Sequence, residues 1–226
     1  LGFTAKFTMR VAQQLYEGID IGEGSVGLIT YMRTDSVNLA EEALREIRDF
    51  ISSRYGKKSL PDEPRVFKKK SKNAQEAHEA VRPTSVTRVP NDIKGSLTDE
   101  QFKLYELIWK RTMASQMTHA TIDSVAVDMS CGDGNSFRAN GSSIADPGFM
   151  QVYLEGVDDK DSSEDDEKML PQLKEGDKVK LKQIRNEQHF TEPRPRYSEA
   201  SLVKSLEEYG IGRPSTYANI IQTLRN

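Results

Sequence analysis

The spacing of apolar residues predicts helices in the first part of the chain. Residues 4–17 repeat apolar positions every three or four residues and end before Gly18, which is typical of an amphipathic helix. Asn38 and Glu41 have the spacing of a capping box, so we expect a second helix from there to near Gly56. The glycine-rich stretch between these helices predicts a loop followed by an extended segment.

Two further helices are expected before the apolar pattern changes after His119. Residues 75–81 predict a short helix that Pro83 must end. Thr98 and Gln101 again have capping-box spacing and open the longest predicted helix, which runs to about Met117 and buries its apolar stripe.

After His119 the pattern changes to the two-residue alternation of β-strands. Residues 122–129, 136–139 and 178–184 alternate in this way, around an acidic stretch at 158–167 that we expect to be a solvated loop rather than a metal site. Helices followed by separate strands predict an α+β fold.

The last residues predict two helices joined by a glycine turn, similar to a helix-turn-helix. Ser198 caps the first helix, which ends near Tyr209, and Pro214 suits the first position of the second. The start of the second helix is either an anion site, with backbone N–H groups left unpaired, or an ordinary helical hairpin. Three side chains converge there: Arg213, Ser215 and Thr216.

Composition places few limits on function, but charge is unevenly distributed. The 226 residues carry a net charge of −3 and one cysteine, Cys131, which excludes an internal disulfide and favours a reducing, cytoplasmic compartment. Residues 1–118 hold 19 Lys or Arg against 16 Asp or Glu, whereas residues 119–192 hold 8 against 16.

No apolar run is long enough to predict a membrane partner. The basic stretch 57–72 is expected to be a solvated loop, with phosphate contact as the alternative.

Tyr31 and Arg33 lie two positions apart in the segment expected to be extended. Residues at this spacing leave a strand on the same face, so a phenol and a guanidinium would face one target. A phenol can attack phosphorus, and a guanidinium can stabilise the developing charge. His78 and Arg82 lie four apart and would share a helix face if the last turn of their helix holds.

Three segments together resemble the motifs of type IA DNA topoisomerases, in the order found in that family. Residues 27–36 are GLITYMRTDS, residues 75–84 are QEAHEAVRPT, and residues 210–218 are GIGRPSTYA. The resemblance implies an enzyme that cuts one DNA strand, holds the 5′ phosphate on a tyrosine, passes another strand through the break, and reseals it without ATP. That activity relaxes negative supercoils.

The resemblance also implies a role for individual residues. Tyr31 matches the nucleophile, Arg33 the arginine beside it, and His78 the histidine near the scissile phosphate. Arg213 and Thr216 match the segment that grips single-stranded DNA, and we also expect Ser215 and Arg82 to contact DNA. Asp35 and Glu79 lie in the motifs without an assigned role.

The resemblance further implies three parts and one missing part. Residues 1–118 would be a helical domain carrying the tyrosine, 119–192 one segment of a β-rich arch, and 193–226 the start of a helical strand-binding domain. The abrupt ends of the chain led us to expect an internal piece of a larger protein. Mg²⁺ would be held by an N-terminal domain that no part of this sequence resembles, so we expect no metal ligands here and no DNA relaxation by this chain alone.

Two alternatives remain at this stage. A tyrosine recombinase or type IB topoisomerase also joins tyrosine to DNA, but those enzymes place the tyrosine on a helix near the C-terminus. A non-catalytic helix-turn-helix module at 198–226 would explain the end of the chain, and it would leave the Tyr31 segment without a role.

Overall fold

The structure, a computed structural model, describes residues 1–22, 24–67, 79–154, 173–193 and 195–225. Five α-helices and two small antiparallel sheets alternate along these ranges, which confirms the predicted α+β class. The helices are α1 Ala5–Glu17, α2 Glu41–Tyr55, α3 Asp99–Ser115, α4 Glu199–Glu208 and α5 Tyr217–Arg225. The strands are β1 Ile19–Asp20, β2 Ser25–Val26, β3 Thr121–Ser130 and β4 Ser136–Asp146.

The core forms where α1, α2 and α3 meet the extended segments between them. Each helix buries one stripe, as its apolar spacing predicts. The predicted capping box of α3 is present: the Thr98 hydroxyl accepts from the Gln101 N–H at 3.3 Å, and the Gln101 side chain accepts from the Thr98 N–H at 3.0 Å. Residues with side chains shielded from water in this core include Leu15, Leu28, Ile47, Ile51, Tyr105, Met113 and Met117.

The capping box predicted at Asn38 and Glu41 is wrong. α2 begins two residues later, with Ala40 as its N-cap and no side-chain cap. The Asn38 carbonyl instead accepts from the Ala80 N–H at 2.8 Å, and the Ala40 N–H donates to Glu79 at 2.9 Å. A distant segment therefore satisfies the backbone that a local cap would have used.

The expected glycine-rich loop contains a small hairpin, in which each strand is two residues long. Ile19 pairs with Val26 and Asp20 with Ser25, in an antiparallel register. Gly27 follows the hairpin and lies against the end of α1, where an added Cβ would be 2.8 Å from the Tyr16 carbonyl oxygen. Only a residue without a side chain allows this approach.

β3 and β4 form a long two-stranded ribbon. Ten residue pairs run from Thr121↔Asp146 to Ser130↔Ser136, and Arg138 bonds both carboxylate oxygens of Asp128 across the strands at 2.7 and 2.9 Å. The strand predicted at 178–184 is wrong, since these residues are exposed and form no ladder. Alternation alone does not make a strand, because a strand also needs a neighbour to pair with.

The C-terminal helices pack against the start of the chain. Ser198 caps α4 as predicted, with its hydroxyl accepting from the Ser201 N–H at 3.1 Å. Glu199, the next residue, accepts a 2.7 Å hydrogen bond from the Ala5 N–H at the start of α1. Ile221 of α5 is buried. These contacts hold the last helices beside the face of α1.

The helix-turn-helix interpretation does not fit these last two helices. α5 begins at Tyr217 rather than near Pro214, so residues 209–216 separate α4 from α5. A helix-turn-helix uses a turn of about 3–4 residues. Gly210 and Gly212 both have positive φ, at 70° and 77°, which lets this longer connection fold back on itself.

Four predictions fall wholly or mainly outside the described residues. They concern His78, the lysines after Phe67, the acidic stretch at 158–167, and most of the helix expected over 75–81. The described part of that expected helix, residues 79–81, is not helical. The division of the chain into domains at 118 and 192 stays a prediction.

Replacing Gly27 by alanine tests the close approach of this residue to α1. Because the nearest atom is a backbone oxygen, the strain cannot be relieved by a side-chain rotation. We expect the free energy of unfolding to fall by about 1–3 kcal/mol, measured by urea denaturation. Gly95→Ala is the matched control, since nothing lies within 4 Å of its added Cβ. Equal stability of the two variants would contradict this account.

Candidate active site

The segment that carries Tyr31 is neither a helix nor a regular strand. Leu28, Ile29 and Met32 are buried, and Tyr31 and Arg33 flank Met32 in the sequence. The only bridge the structure records for this segment, within the described residues, joins Ile29 to Pro83. The segment predicted to be a short strand or extended piece is therefore paired at Ile29 and bends on both sides of Tyr31.

Hydrogen bonds join this segment to the second motif. The Thr30 N–H donates to the Arg82 carbonyl at 2.9 Å, and the Thr84 N–H donates to the Leu28 carbonyl at 3.0 Å. The Thr30 hydroxyl donates to the Ala80 carbonyl at 2.8 Å and accepts from the Arg82 N–H at 3.0 Å. Two motifs that are about fifty residues apart in sequence thus form one backbone unit.

The core holds the second motif from the other side. The Trp109 indole N–H donates to the Val86 carbonyl at 3.0 Å, and the Tyr105 hydroxyl donates to the Arg88 carbonyl at 2.8 Å. Burial raises the pKa of the Tyr105 phenol. Glu46 of α2 accepts from the Val86 N–H at 3.2 Å. Side chains of α2 and α3 therefore fix the backbone on which the Tyr31 segment rests.

Tyr31 and Arg33 line the same cleft, as their spacing predicts. The cleft has a volume of about 720 Å³ and lies between α1, the Tyr31 segment and the start of α5. The Tyr31 side chain is 41% exposed, and its ring meets the Tyr16 ring edge to face at 5.4 Å between centroids. The residues contributed by α1 are Lys6, Met9, Arg10, Gln13, Gln14 and Glu17, and those near α5 are Pro214, Ser215, Ala218 and Asn219.

Among the described lining residues, positive charge exceeds negative charge. Lys6, Arg10 and Arg33 face the cleft, against the single carboxylate of Glu17. That carboxylate accepts a 2.6 Å hydrogen bond from the Gln13 amide. An anion such as a phosphodiester is therefore the ligand that the cleft favours.

Arg82 does not lie in this cleft. Its guanidinium bonds both oxygens of Glu79, at 2.6 and 3.0 Å, and donates to the Pro83 carbonyl at 2.8 Å. The side chain of Arg82 is only 14% exposed. The structure gives Arg82 a scaffolding role, and its expected contact with DNA stays a prediction.

Glu79 joins the second motif to the start of α2. Besides the pair with Arg82, it accepts from the Ala40 N–H at the start of α2. Burial acts to raise the pKa of the Glu79 carboxyl, but the hydrogen bonds from Arg82 and Ala40 outweigh it and lower the pKa below its ordinary value. Glu79 is thus held as a carboxylate.

The turn before α5, where the sequence predicts either an anion site or an ordinary helical hairpin, is closed by its own hydrogen bonds. Ser215 lines the cleft. The Thr216 hydroxyl accepts from the Arg213 N–H at 2.9 Å, and the N–H groups of Thr216 and Tyr217 both donate to the Arg213 carbonyl. These two N–H groups are therefore paired within the turn, and the choice between an anion site and an ordinary helical hairpin stays open. The Arg213 guanidinium donates to the Gly212 carbonyl at 2.7 Å.

Charges link this turn to the Tyr31 motif. Burial raises the pKa of the Tyr217 phenol, and Glu207 and Asp35 add to the shift while Arg213 opposes it. Asp35, in the first motif, therefore lies within electrostatic reach of residues in the third. The structure brings together all three motifs as far as they are described, although His78 lies outside the described residues.

Comparison with known proteins agrees with this assembly. A family model described as DNA topoisomerase matches residues 1–226. The chain belongs to the DNA topoisomerase family of bacterial type IA enzymes. It is 60% identical over 226 residues to DNA topoisomerase 1 of Xylella fastidiosa strain Temecula1 and 56% identical over 227 residues to DNA topoisomerase 1 of Rickettsia bellii. These alignments cover 99% and 100% of this chain and 28% of each relative.

A solved topoisomerase has the same fold. The full-length topoisomerase I from Thermotoga maritima superposes with a TM-score of 0.75 at 35% identity, covering 99% of this chain and 35% of that one. The chain thus spans about a third or less of the length of the topoisomerases it matches. None of the helices in the described ranges is long and apolar enough to cross a membrane.

Several residues in and around the cleft were not predicted from the sequence. Thr30 lies inside the first motif, but a single sequence does not show that its hydroxyl joins the two motifs. Tyr16, Lys6 and Arg10 belong to α1, whose pattern predicts a solvated face. The spacing of residues in α1 predicts which side of the helix is polar, but only the fold determines which other elements lie opposite that side.

The described residues do not fit a resident metal ion. Nowhere in the described ranges do three or more His, Cys, Asp or Glu side chains lie together as metal ligands would. Glu79 pairs with Arg82, and Asp128 pairs with Arg138.

The role of Glu79 predicts a specific dependence of stability on pH. Its pKa is lower in the folded state, so its stabilising effect is present above the unfolded value of about 4.3 and is lost as pH falls through the folded value. Glu79→Gln should lower the free energy of unfolding by about 1–3 kcal/mol at neutral pH.

The measurement is urea denaturation from pH 7 to 3. Between about pH 5 and 3 the wild type should lose more stability than Glu79→Gln does, because the variant has already lost this contribution. Glu63→Gln, at an exposed position, is the control. Parallel pH profiles for wild type and Glu79→Gln would contradict the assignment.

Proposed function

We propose that this chain supplies the nucleophile and part of the strand-binding surface of a type IA DNA topoisomerase. Tyr31 would attack a phosphodiester of single-stranded DNA, and Arg33 would stabilise the charge on the phosphate oxygens. The observation that carries the proposal is that Tyr31 and Arg33 line one cationic cleft, opposite Ser215 of the third motif.

The proposed step exchanges one phosphoester for another. The Tyr31 phenol oxygen bonds to phosphorus and loses its proton to a base, while the bond from phosphorus to the 3′ oxygen breaks. The 3′ oxygen takes up a proton, from water or from the protonated base, and leaves as a hydroxyl, while the 5′ phosphate stays on Tyr31. Resealing reverses each change, so no ATP is needed.

Other parts of the proposal come from the family alone. His78 would contact the scissile phosphate. Mg²⁺, held by a domain outside this sequence, would supply positive charge at the cut when bound. That domain would be the partner of this chain within the same protein, in the cytoplasm. The chain alone should not relax supercoiled DNA.

The rival enzyme class fits less well. Tyrosine recombinases and type IB topoisomerases carry their tyrosine on a helix, whereas Tyr31 lies in a non-helical segment. The longer connection between α4 and α5 also removes the main support for a helix-turn-helix module.

Trapping of the covalent intermediate tests Tyr31 directly. The chain is combined with the separately expressed metal-binding domain, Mg²⁺ and single-stranded DNA labelled 3′ of the cut, on the part that keeps the 5′ phosphate. We expect an adduct with the wild type and none with Tyr31→Phe, which keeps the ring and its contact with Tyr16 but lacks the nucleophilic oxygen. The readout is a labelled protein band on a denaturing gel.

Tyr16→Phe is the matched control, since it removes the phenol oxygen of the ring that packs against Tyr31. It should keep forming the adduct. If Tyr31→Phe still forms the adduct and Tyr16→Phe does not, Tyr16 rather than Tyr31 is the nucleophile. Arg33→Ala should slow adduct formation by about 10²–10³-fold, the effect of removing one donor to a developing oxyanion.

Arg213 is tested by binding rather than by cleavage. Arg213→Ala should weaken binding of a single-stranded oligonucleotide and lower the slope of log affinity against log salt by about 0.7, as expected for one lost phosphate contact. Fluorescence anisotropy at several salt concentrations measures both. An unchanged slope would assign Arg213 to the turn alone, through its hydrogen bond to Gly212.

A further inference from the structure

The polar face of α1 is an unexplained surface in this cleft. Val11, Ala12 and Leu15 face the core, so the opposite side of the helix is turned away from it. Lys6 and Arg10 lie on that side, both exposed and four residues apart, and both line the cleft with Tyr31. None of the three motifs includes either residue.

The charge on this face is only partly offset within the cleft, by Glu17. α1 has no acidic residue in its first turn, where a carboxylate would stabilise the helix and Lys6 adds positive charge instead. Glu17 of the cleft lies at the other end of the helix and is bonded by Gln13. Such an arrangement favours an anionic ligand.

Neighbouring carboxylates only partly reduce this charge. Glu199 accepts from the Ala5 N–H at the N-terminus of α1, and Glu100 of α3 lies within electrostatic reach of Arg10. Neither carboxylate lines the cleft. Arg10 also stacks on the Phe7 ring at 4.8 Å, which holds the guanidinium near the helix surface.

The spacing of the two cations suits an extended polyanion. At 1.5 Å per residue, Lys6 and Arg10 are separated by about 6 Å along the helix axis. A row of cations along the wall of a groove is how proteins follow the backbone of single-stranded DNA. Tyr31 and Arg33 lie in the same groove, so the strand that they act on would pass along this wall.

We propose that Lys6 and Arg10 of α1 bind phosphates of the same DNA strand that Tyr31 attacks. α1 is then a second DNA-binding wall, facing the Arg-Pro-Ser-Thr segment across the cleft. The inference rests on the proposed function for the identity of the ligand, and it assigns a binding surface outside the three motifs.

The test is the salt dependence of DNA binding by the 226-residue chain. Tyr31→Phe is present in every variant, so that covalent chemistry plays no part. The probe is a fluorescent single-stranded oligonucleotide, measured between 50 mM and 200 mM salt. Lys6→Gln with Arg10→Gln keeps helix propensity while removing both charges.

We expect the slope of log affinity against log salt to fall by about 1.4 in the double variant, about 0.7 for each lost phosphate contact. Over a fourfold range of salt, the wild type should then lose about sevenfold more affinity than the double variant. Exchange of the two cations, Lys6→Arg with Arg10→Lys, should keep the original slope. The same thermal unfolding midpoint in all variants excludes a folding defect.

Arg45→Gln on α2 is the matched control, because Arg45 is exposed but does not line the cleft. An unchanged slope in the double variant, or an equal fall in Arg45→Gln, would overturn the inference. A further outcome combines the two assays. If the trapping assay gives no Tyr31 adduct but the double variant still has a reduced slope, the proposed chemistry is rejected and the binding surface is kept. The two failures are therefore distinguishable.

Discussion

The site depends on one backbone pairing between two segments that are distant in sequence. Leu28 and Thr30 exchange hydrogen bonds with Arg82 and Thr84, and the Thr30 hydroxyl adds two more. A tyrosine on an unpaired loop would sample many orientations and would have to be ordered before each reaction. Here the residue before Tyr31 is fixed by the pairing, and Met32 after it is buried. The fold therefore sets the direction of the Tyr31 side chain, the proposed nucleophile, without DNA.

The polar residues around this pairing divide into those that build the site and those that face the ligand. Glu79 and Arg82 satisfy each other and several backbone groups, so much of their charge is used within the protein. Arg33 faces the cleft, together with Lys6 and Arg10. Arg33 and Arg82 both lie in the motifs, but they have different surroundings. The burial and hydrogen-bond partners of each side chain show this difference, and the sequence does not.

Local features were predictable from the sequence, and long-range ones were not. The capping box of Thr98 and Gln101 depends on neighbouring residues only, and it was found as expected. The box expected at Asn38 failed because Glu79, far away in sequence, bonds to the start of α2. Residues 178–184 have a strand pattern without a paired neighbour. The same limit explains why the cleft walls were missed: helical spacing gives the exposed face of α1, but not its position opposite α5.

Amide hydrogen exchange of the free protein tests the central claim, that the Tyr31 segment is held in place without DNA. If the pairing is permanent, the Thr30 and Thr84 amides exchange together, and as slowly as the amide of Met113 in the core of α3. Fast exchange at Thr30 and Thr84 with a protected Met113 would contradict the account. In that case the pairing would open locally, and the orientation of Tyr31 would have to come from DNA.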